Sequence, residues 1–594
     1  MYIYLWKQKR KMNQNKAKTL WTVGTPDPRQ QQLLESTCSL SPFVAKLLTC
    51  RGLTQAHQAQ AYLQPQSLPF EDPLQMADLP AGALALNRAI EQNQHITVFG
   101  DYDVDGITAT VITVLYLQSR GARVRYSIPD RARDGYGLSQ RALEEAAALG
   151  SRVAITVDCG ISALEQAQWA REQGITLIVT DHHACLGPLP QAQAVIDPNR
   201  PDCPYPHKGL AGCGVAWKLL SAAEHYHTQR PIEDCQEELL HRYGDLIALG
   251  TVADMMPLAG ENRRLTSFGL NKLRSRPFAP LAVLLQEAGV EPANANAGHF
   301  SFTLAPKLNA AGRMDSAALS AQLLLSQDPL EQKALSQRLD ELNQRRKQEE
   351  EQIYQQAVTE LARQSQEEKP SFLLAYSDTW HPGVIGIAAS RISQQAHLPC
   401  LLITFAGDSP IGHGSARSIK GFHLAKALAQ CADLLEAHGG HELAAGLSVK
   451  KENLPLLQQR LEELAREQIT PELRQKTVAC DCQLSGRELT LENAKALAMF
   501  EPYGTDNAPF LFFIGGATVL SVIPLSQGKH VKLTVDADGV VVPALCFRMS
   551  AQRFPFQAGQ RVDLACVPDV NEYQNTQRLQ LIVKNIRTTT NQKE

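Results

Sequence analysis

The sequence has no long apolar run. Nowhere in its 594 residues does an uninterrupted apolar stretch reach the roughly 18 that a membrane helix needs, so no helical span is expected. It has almost no net charge: 58 Lys and Arg stand against 61 Asp and Glu, for −3 at pH 7. No global basic field would therefore draw a polyanion, and a nucleic-acid partner would have to be held by local patches. No C-x-x-C pair occurs among its 13 cysteines, which argues against a zinc module or a disulfide framework and for a reducing cytoplasm. Residues 1–20 hold six Lys and Arg but no apolar core segment, so they do not read as a secretory signal. They read as a basic arm, with Met12 an alternative start. The length predicts about three or four domains.

What the chain does carry is concentrated in residues 95–109, HITVFGDYDVDGITA. Residues 96–99 form a short β-prone apolar run, bounded by Gly100 and by acids, which predicts a buried strand. Asp101, Asp103 and Asp105 follow at every second position. On an extended backbone that period turns all three the same way. Three converging carboxylates repel one another and lose hydration unless a hard divalent cation joins them. An EF-hand loop opens the same way, but the bidentate Glu it needs at its twelfth position is here Ile112, and ITATVI reads as a helix entering a core. The plain structural alternative is an acidic turn after a strand.

Further along, helical and strand patterns alternate. A helix over 108–118 stops at Gly121, and strands are expected at 124–128, 152–157 and 175–179, with helices over 139–149 and up to Gly174 between them. Strand, helix, strand, helix, strand implies a parallel sheet in an open α/β fold, where ligands sit beyond the carboxyl ends of the strands. Three strand ends then bring metal-ligating side chains to one edge: Asp103 and Asp105, Asp158, and His182 with His183. Taken singly, Asp158 reads equally as a helix cap and His182 as a satisfied loop histidine. A fourth candidate, Asp254, lies in the apolar segment LIALGTVADMMPL. A buried Asp there needs a metal or a set of backbone N–H groups.

Asp181-His182-His183, with GDYDVDG, VDCG and GTVADMMPL, resembles the DHH phosphoesterase superfamily, and specifically its single-strand-specific 5′→3′ DNA exonucleases. The segments DRARDGYGL (130–138), PKLNAAGRM (306–314), WHPGVIGIAASRI (380–392), GSARS (414–418), GGHELAAG (439–446) and EPYGTDNAPF (501–510) extend the likeness over roughly 40–590. The resemblance implies two ions, Mn²⁺ or Mg²⁺. Asp103 and Asp158 would hold one; Asp105, Asp158, His182 and Asp254 would hold the other, with Asp158 bridging and His183 facing the scissile phosphate. Asp101 is left as an outer ligand or a cap. Sister enzymes carry a His where this chain has Phe99, so the first ion has fewer protein ligands. Arg131, Tyr136, Asn309, Arg313, Arg391, Ser415, Arg417 and His441 are carried over as contacts to DNA and its 5′-phosphate, with Arg131, Arg313 and Arg417 as the terminus sensor. Implied partners are single-stranded DNA, a single-strand-binding protein and a RecQ-type helicase, with no membrane and a monomeric cytoplasmic protein. The implied reaction is phosphodiester hydrolysis of single-stranded DNA to mononucleotides in repair and recombination.

Residues 1–75 are read as an arm with short helices, 76–325 as a parallel-sheet α/β DHH catalytic domain, and 326–366 as a connecting long helix, since 330–361 contain no Gly or Pro. Residues 367–468 are a DHH-associated α/β domain. Residues 469–594 are an OB-fold barrel, read from period-two strands at 529–536, 561–567 and 578–583. Tyr503, Phe510, Phe512, Phe513 and Tyr573 stand there as candidate base-stacking or core aromatics. Because every acid lies upstream of the barrel, truncation beyond about 470 is expected to weaken long-substrate binding more than chemistry.

Overall fold

In the computed structural model, residues 19–130, 135, 137–364, 370–407, 409–574 and 576–589 are described. They form two compact units, one of 22–339 with 479–594 and one of 340–478 with the chain start. In the first, five parallel strands make the catalytic sheet: β1 (His95–Phe99), β2 (Arg123–Ser127), β3 (Val153–Val157), β4 (Thr176–Thr180) and β5 (Ala194–Ile196). Their order is β2-β1-β3-β4-β5, each neighbour parallel. The direction of winding reverses between β1 and β3, which is where an open α/β sheet leaves a crevice for a ligand. The strands fall within a residue or two of their sequence-predicted positions. β5 has no counterpart in the sequence pattern, because three residues are too few for a period.

The helices reveal a difference. The helix after β1 begins not at residue 108 but at Val104, and runs to Ser119 (α1). Asp103 caps it, accepting the N–H groups of Asp105 and Gly106 at 3.0 and 3.1 Å. The strand ends at Phe99, the chain bends at Tyr102 and Asp103, and Asp105 lies in the first helical turn. The three acids converge because a short bend joins a strand to a helix, not because of a period of two. α1 is buried on nearly all sides. It packs against two helices absent from the sequence reading, α2 (Gly212–Thr228) and α3 (Ile232–Ala253).

The C-terminal strands close into a barrel. Phe512–Leu525 pairs antiparallel with both His530–Ala537 and Arg561–Tyr573, and Thr576–Thr588 pairs with Arg561–Tyr573 and, in parallel, with Val540–Cys546. Phe510 and Phe512 are core residues, stacked with centroids 5.8 Å apart, so neither stacks a base. Phe43, on the helix Pro42–Cys50, packs on Phe512, so the N-terminal helices share the barrel's core. Tyr503 donates its hydroxyl to Leu497 O, whereas Tyr573 is exposed.

In the second unit five strands run in the order Leu435–Gly440, Ala444–Lys450, Ile411–Arg417, Cys400–Phe405, Leu373–Ser377, with only the last pair parallel. The long helix Pro329–Gln364 has 36 residues, against the expected 330–361. At 1.5 Å per residue it is about 54 Å long.

Candidate metal centre

Each acid reaches the crevice by its own local device. Asp101 and Asp103 leave the end of β1. Asp105, buried in the first turn of α1, accepts the N–H groups of Gly212 and Cys213 at 2.6 and 3.0 Å, so it also caps α2. Asp158 follows β3 at φ +62°, a left-handed conformation that non-glycine residues adopt at a cost and that Asp tolerates better than most. Gly212 is required beside it: a Cβ there would lie 2.5 Å from Asp158 Oδ1. Asp254 is the C-cap of α3, the end of a helix where the macrodipole disfavours an anion. Its side chain is mostly buried, with 27% left exposed.

His182, after β4, gathers these groups. Its Nε2 lies 3.1 Å from Asp158 Oδ1, 3.6 Å from Asp254 Oδ2 and 3.9 Å from Asp105 Oδ2. Three sets bring one ligand atom per residue within 4.8 Å of one another: Asp101–Asp103–Asp158, Asp105–His182–Asp254 and Asp158–His182–His183. Asp101 Oδ1, Asp158 Oδ1 and His182 Nε2 are buried without a hydrogen-bond partner among the described residues. Burial, and then repulsion from Asp105 and Asp103, drives the Asp158 carboxyl well above the ordinary range. Burial with Asp103 takes Asp101 up to about 7, and burial with Asp105 takes Asp254 up to about 8. Burial holds the His182 imidazole below its usual value, which leaves Nε2 a neutral donor atom. Crowded, dehydrated carboxylates with orphaned oxygens and a neutral imidazole are a donor set suited to hard divalent cations.

His183 has a different environment. Its Nδ1 is 2.7 Å from Asp181 Oδ1, which also accepts the N–H groups of His182 and His183, while Asp181 Oδ2 accepts Ile161 N–H. Burial alone would lower the His183 pKa, but the bond to Asp181 and its charge push it to about 9. The ring is therefore cationic at neutral pH, at the rim of the acidic cluster. The sequence marks Asp181 only as the first residue of the DHH signature, with no role of its own; the structure gives it one, which is to shape the loop and charge His183.

Comparison with known proteins decides the family. Residues 95–251 match the DHH family, N-terminal domain, 369–467 the DHHA1 domain and 480–585 the RecJ OB domain. The chain is 33% identical to the single-stranded-DNA-specific exonuclease RecJ of Bacillus subtilis over 569 residues, spanning 96% of this chain and 71% of that one. The chain belongs to the RecJ family. It is 36% identical to RecJ of Escherichia coli, over 92% of this chain and 96% of that protein. The crystal structure of RecJ in complex with Mn²⁺ from Thermus thermophilus matches with a TM-score of 0.81 at 28% identity, covering 96% of this chain and 80% of that one. The Mg²⁺ complex of that protein matches with a TM-score of 0.76 at 27% identity, covering 96% and 79%.

Against this RecJ fold the remaining site candidates divide. Arg131 and Tyr136 lie outside the described residues. Asn309 and Arg313 are half-buried on the helix Ala305–Met314. A Cβ on Gly312 would be 3.2 Å from Tyr102 O, so the end of this helix abuts the loop between Asp101 and Asp103. In the other unit, Arg417 Nη1 donates to Ser415 Oγ and to Ala416 O at 3.1 and 2.8 Å. Gly386 gives them room, since a Cβ there would be 2.8 Å from Ser415 Oγ. His441 is exposed in the turn leading into the strand Ala444–Lys450. Arg391 is committed to the long helix instead: it pairs with Glu351 at 2.7 Å and stacks 3.9 Å over Tyr354.

Proposed function

We propose that this chain is a metal-dependent exonuclease that hydrolyses single-stranded DNA from its 5′ end to mononucleotides, in DNA repair and recombination. The observation that carries the reading is the group of buried ligand atoms on Asp101, Asp158 and His182 that accept or donate no hydrogen bond among the described residues, at the winding reversal of the sheet. The kinship to proteins named single-stranded-DNA-specific exonucleases supports the substrate. Mn²⁺ or Mg²⁺ is the cofactor, as in the RecJ complexes with those ions. Asp101, Asp103 and Asp158 would hold one ion, and Asp105, Asp158, His182 and Asp254 the other. When bound, the ions acidify a water and stabilise charge on the attacked phosphate.

The chain's own groups do the rest. Asp105 keeps its orientation through two N–H groups of α2. The His183 imidazolium, held by Asp181, offers a positive donor to the scissile phosphate. Asn309 and Arg313 border the acidic loop and suit the phosphodiester backbone. Ser415, Arg417 and His441 suit the terminal 5′-phosphate, which carries more charge and more acceptor oxygens than an internal one. Arg391 belongs to this set only if DNA displaces Glu351. Residues 76–325, 367–468 and 469–594 are the catalytic, end-binding and single-strand-binding parts, with 1–75 an arm and 326–366 the connecting helix. A cytoplasmic monomer working with a single-strand-binding protein and a RecQ-type helicase completes the reading. No described helix is long and apolar enough to cross a membrane.

The test is release of acid-soluble nucleotide with Mn²⁺ from single-stranded DNA, compared with duplex DNA and with pyrophosphate. A 3′-end-labelled oligonucleotide reports direction. Preference for single strands with loss from the 5′ end is expected. Degradation from the 3′ end, or faster hydrolysis of pyrophosphate, would overturn the reading.

A further inference from the structure

The segment EPYGTDNAPF (501–510) contains no candidate ligand, yet hydrogen bonds join it to Arg263 and to the loop that follows Asp254. Arg263, only 3% exposed, donates to four carbonyls: Nε to Tyr62 at 2.9 Å, Nη2 to Glu501 at 2.9 Å and to Phe500 at 3.2 Å, and Nη1 to Pro502 at 3.4 Å. Its guanidinium lies 3.7 Å over the Tyr62 ring. Tyr62 donates its hydroxyl to Asn507 Oδ1 at 2.5 Å, and Asn507 Nδ2 returns to the Phe500 and Pro502 carbonyls at 2.9 and 2.7 Å. The ring of bonds is closed and mostly buried, with Tyr62 at its half-buried edge. A fork of donors spent wholly on backbone carbonyls fixes a turn rather than neutralising a charge.

That turn grips the loop beyond Asp254. Leu258 N–H donates to Thr505 O at 2.9 Å, and Leu258 packs so closely on Gly504 that a Cβ there would lie 2.6 Å from Leu258 Cδ1. One residue before Arg263, buried Asn262 donates to Pro257 O at 3.1 Å and to Gly209 O. Gly209 leads into Gly212 and Cys213, whose N–H groups hold Asp105. Both protein ends of the second ion's ligand set, Asp254 and Asp105, are thus tied to one clamp.

We infer that the 501–510 turn, with Arg263, Asn507, Leu258 and Asn262, is a positioning device for the metal centre and not merely a joint to the barrel. The inference rests on the reading of Asp105 and Asp254 as ligands. Outer partners that orient metal ligands typically alter metal affinity about 10–100-fold when removed.

The experiment measures Mn²⁺ binding by calorimetry on the full-length protein, beside kcat and KM on a 5′-phosphorylated dinucleotide. Gly504→Ala, whose added methyl collides with Leu258, is expected to raise the Mn²⁺ dissociation constant about tenfold and to lower kcat with little change in KM. Leu258→Val in the Gly504→Ala background removes the colliding carbon and is expected to restore affinity. Asn507→Ala is expected to mimic Gly504→Ala; if it does not fold, the Gly504 and Leu258 pair decides. Folded Gly504→Ala protein that binds Mn²⁺ as the parent does, or a double variant with no recovery, would overturn the clamp. Asp254→Asn is the control for the underlying assignment: parental Mn²⁺ affinity in that variant would remove Asp254 as a ligand and leave the clamp without an object.

Discussion

The burial and strain at Asp158 set function against stability at a single residue. It is fully buried, holds a left-handed backbone conformation and is repelled by the carboxylates of Asp105, Asp103 and Asp101. Asp158→Ala is expected to lower nuclease activity by several orders of magnitude while the metal-free protein still folds and melts cooperatively: the site loses a ligand and its repulsion, against the strain of Ala in a left-handed conformation. Activity on a labelled single strand and a melt in EDTA check both halves. Asp197 makes a separate residue-scale case, outside the ligand set. It is fully buried, accepts Asn199 N–H at 2.7 Å, and burial pushes its carboxyl up to about 7. A folded-state pKa above the unfolded value means a contribution that is whole below the ordinary carboxyl pKa and is lost as pH climbs through about 7. Asp197→Asn keeps the acceptor and removes the titration. With Mn²⁺ present throughout, the parent should lose about 2 kcal/mol more than the variant between pH 5 and 8 in urea melts. Parallel pH profiles would refute this.

Among the elements, the strand Ile411–Arg417 and the helix Pro382–Ala396 depend on each other. Arg417 is braced by Ser415 and by its own neighbour's carbonyl, and Gly386 is what lets the helix come this near. Arg417→Ala is expected to raise KM about tenfold on 5′-phosphorylated strands, the worth of one charge-assisted contact, and to narrow their advantage over 5′-hydroxyl strands. Gly386→Ala should move KM the same way through crowding alone. Steady-state kinetics on matched 5′-phosphate and 5′-hydroxyl oligonucleotides distinguish this from a general loss, which would depress both substrates equally.

For the whole molecule, the structure gives grounds for a second prediction opposed to one drawn from the sequence. On the sequence alone, truncation beyond about 470 is separable from chemistry because every acid lies upstream. Yet 479–594 share a compact unit with 22–339, the N-terminal helices complete the barrel core, and Thr505 holds the loop after Asp254. Removing residues 479–594 would expose Phe43, Leu47 and Leu48, and would release Leu258. The truncated protein is expected instead to lose Mn²⁺ affinity and to cut short and long oligonucleotides equally poorly. Retention of parental kcat on a dinucleotide would show the barrel to be separable after all.

By itself the sequence determined the chemistry of the donors and the local course of the chain. Apolar runs ending in Asp, Asp and His marked β1, β3 and β4, and an uninterrupted 330–361 marked the long helix, because these signals depend only on near neighbours. The family motifs named the candidate ligands even where the geometric reason for convergence was mistaken, as at Asp105. Only the tertiary structure decided the rest. The strand order set β1 beside β3, which makes Asp103 and Asp158 neighbours though 55 positions separate them. α2 supplied the N–H groups that aim Asp105, and the end of α3 held Asp254 against its helix dipole. Arg263 joined carbonyls that each lie more than two hundred positions from it, on either side in the chain. Such partners meet only after loops close and cores pack, and no periodicity along the chain encodes which backbone groups will face each other once they do.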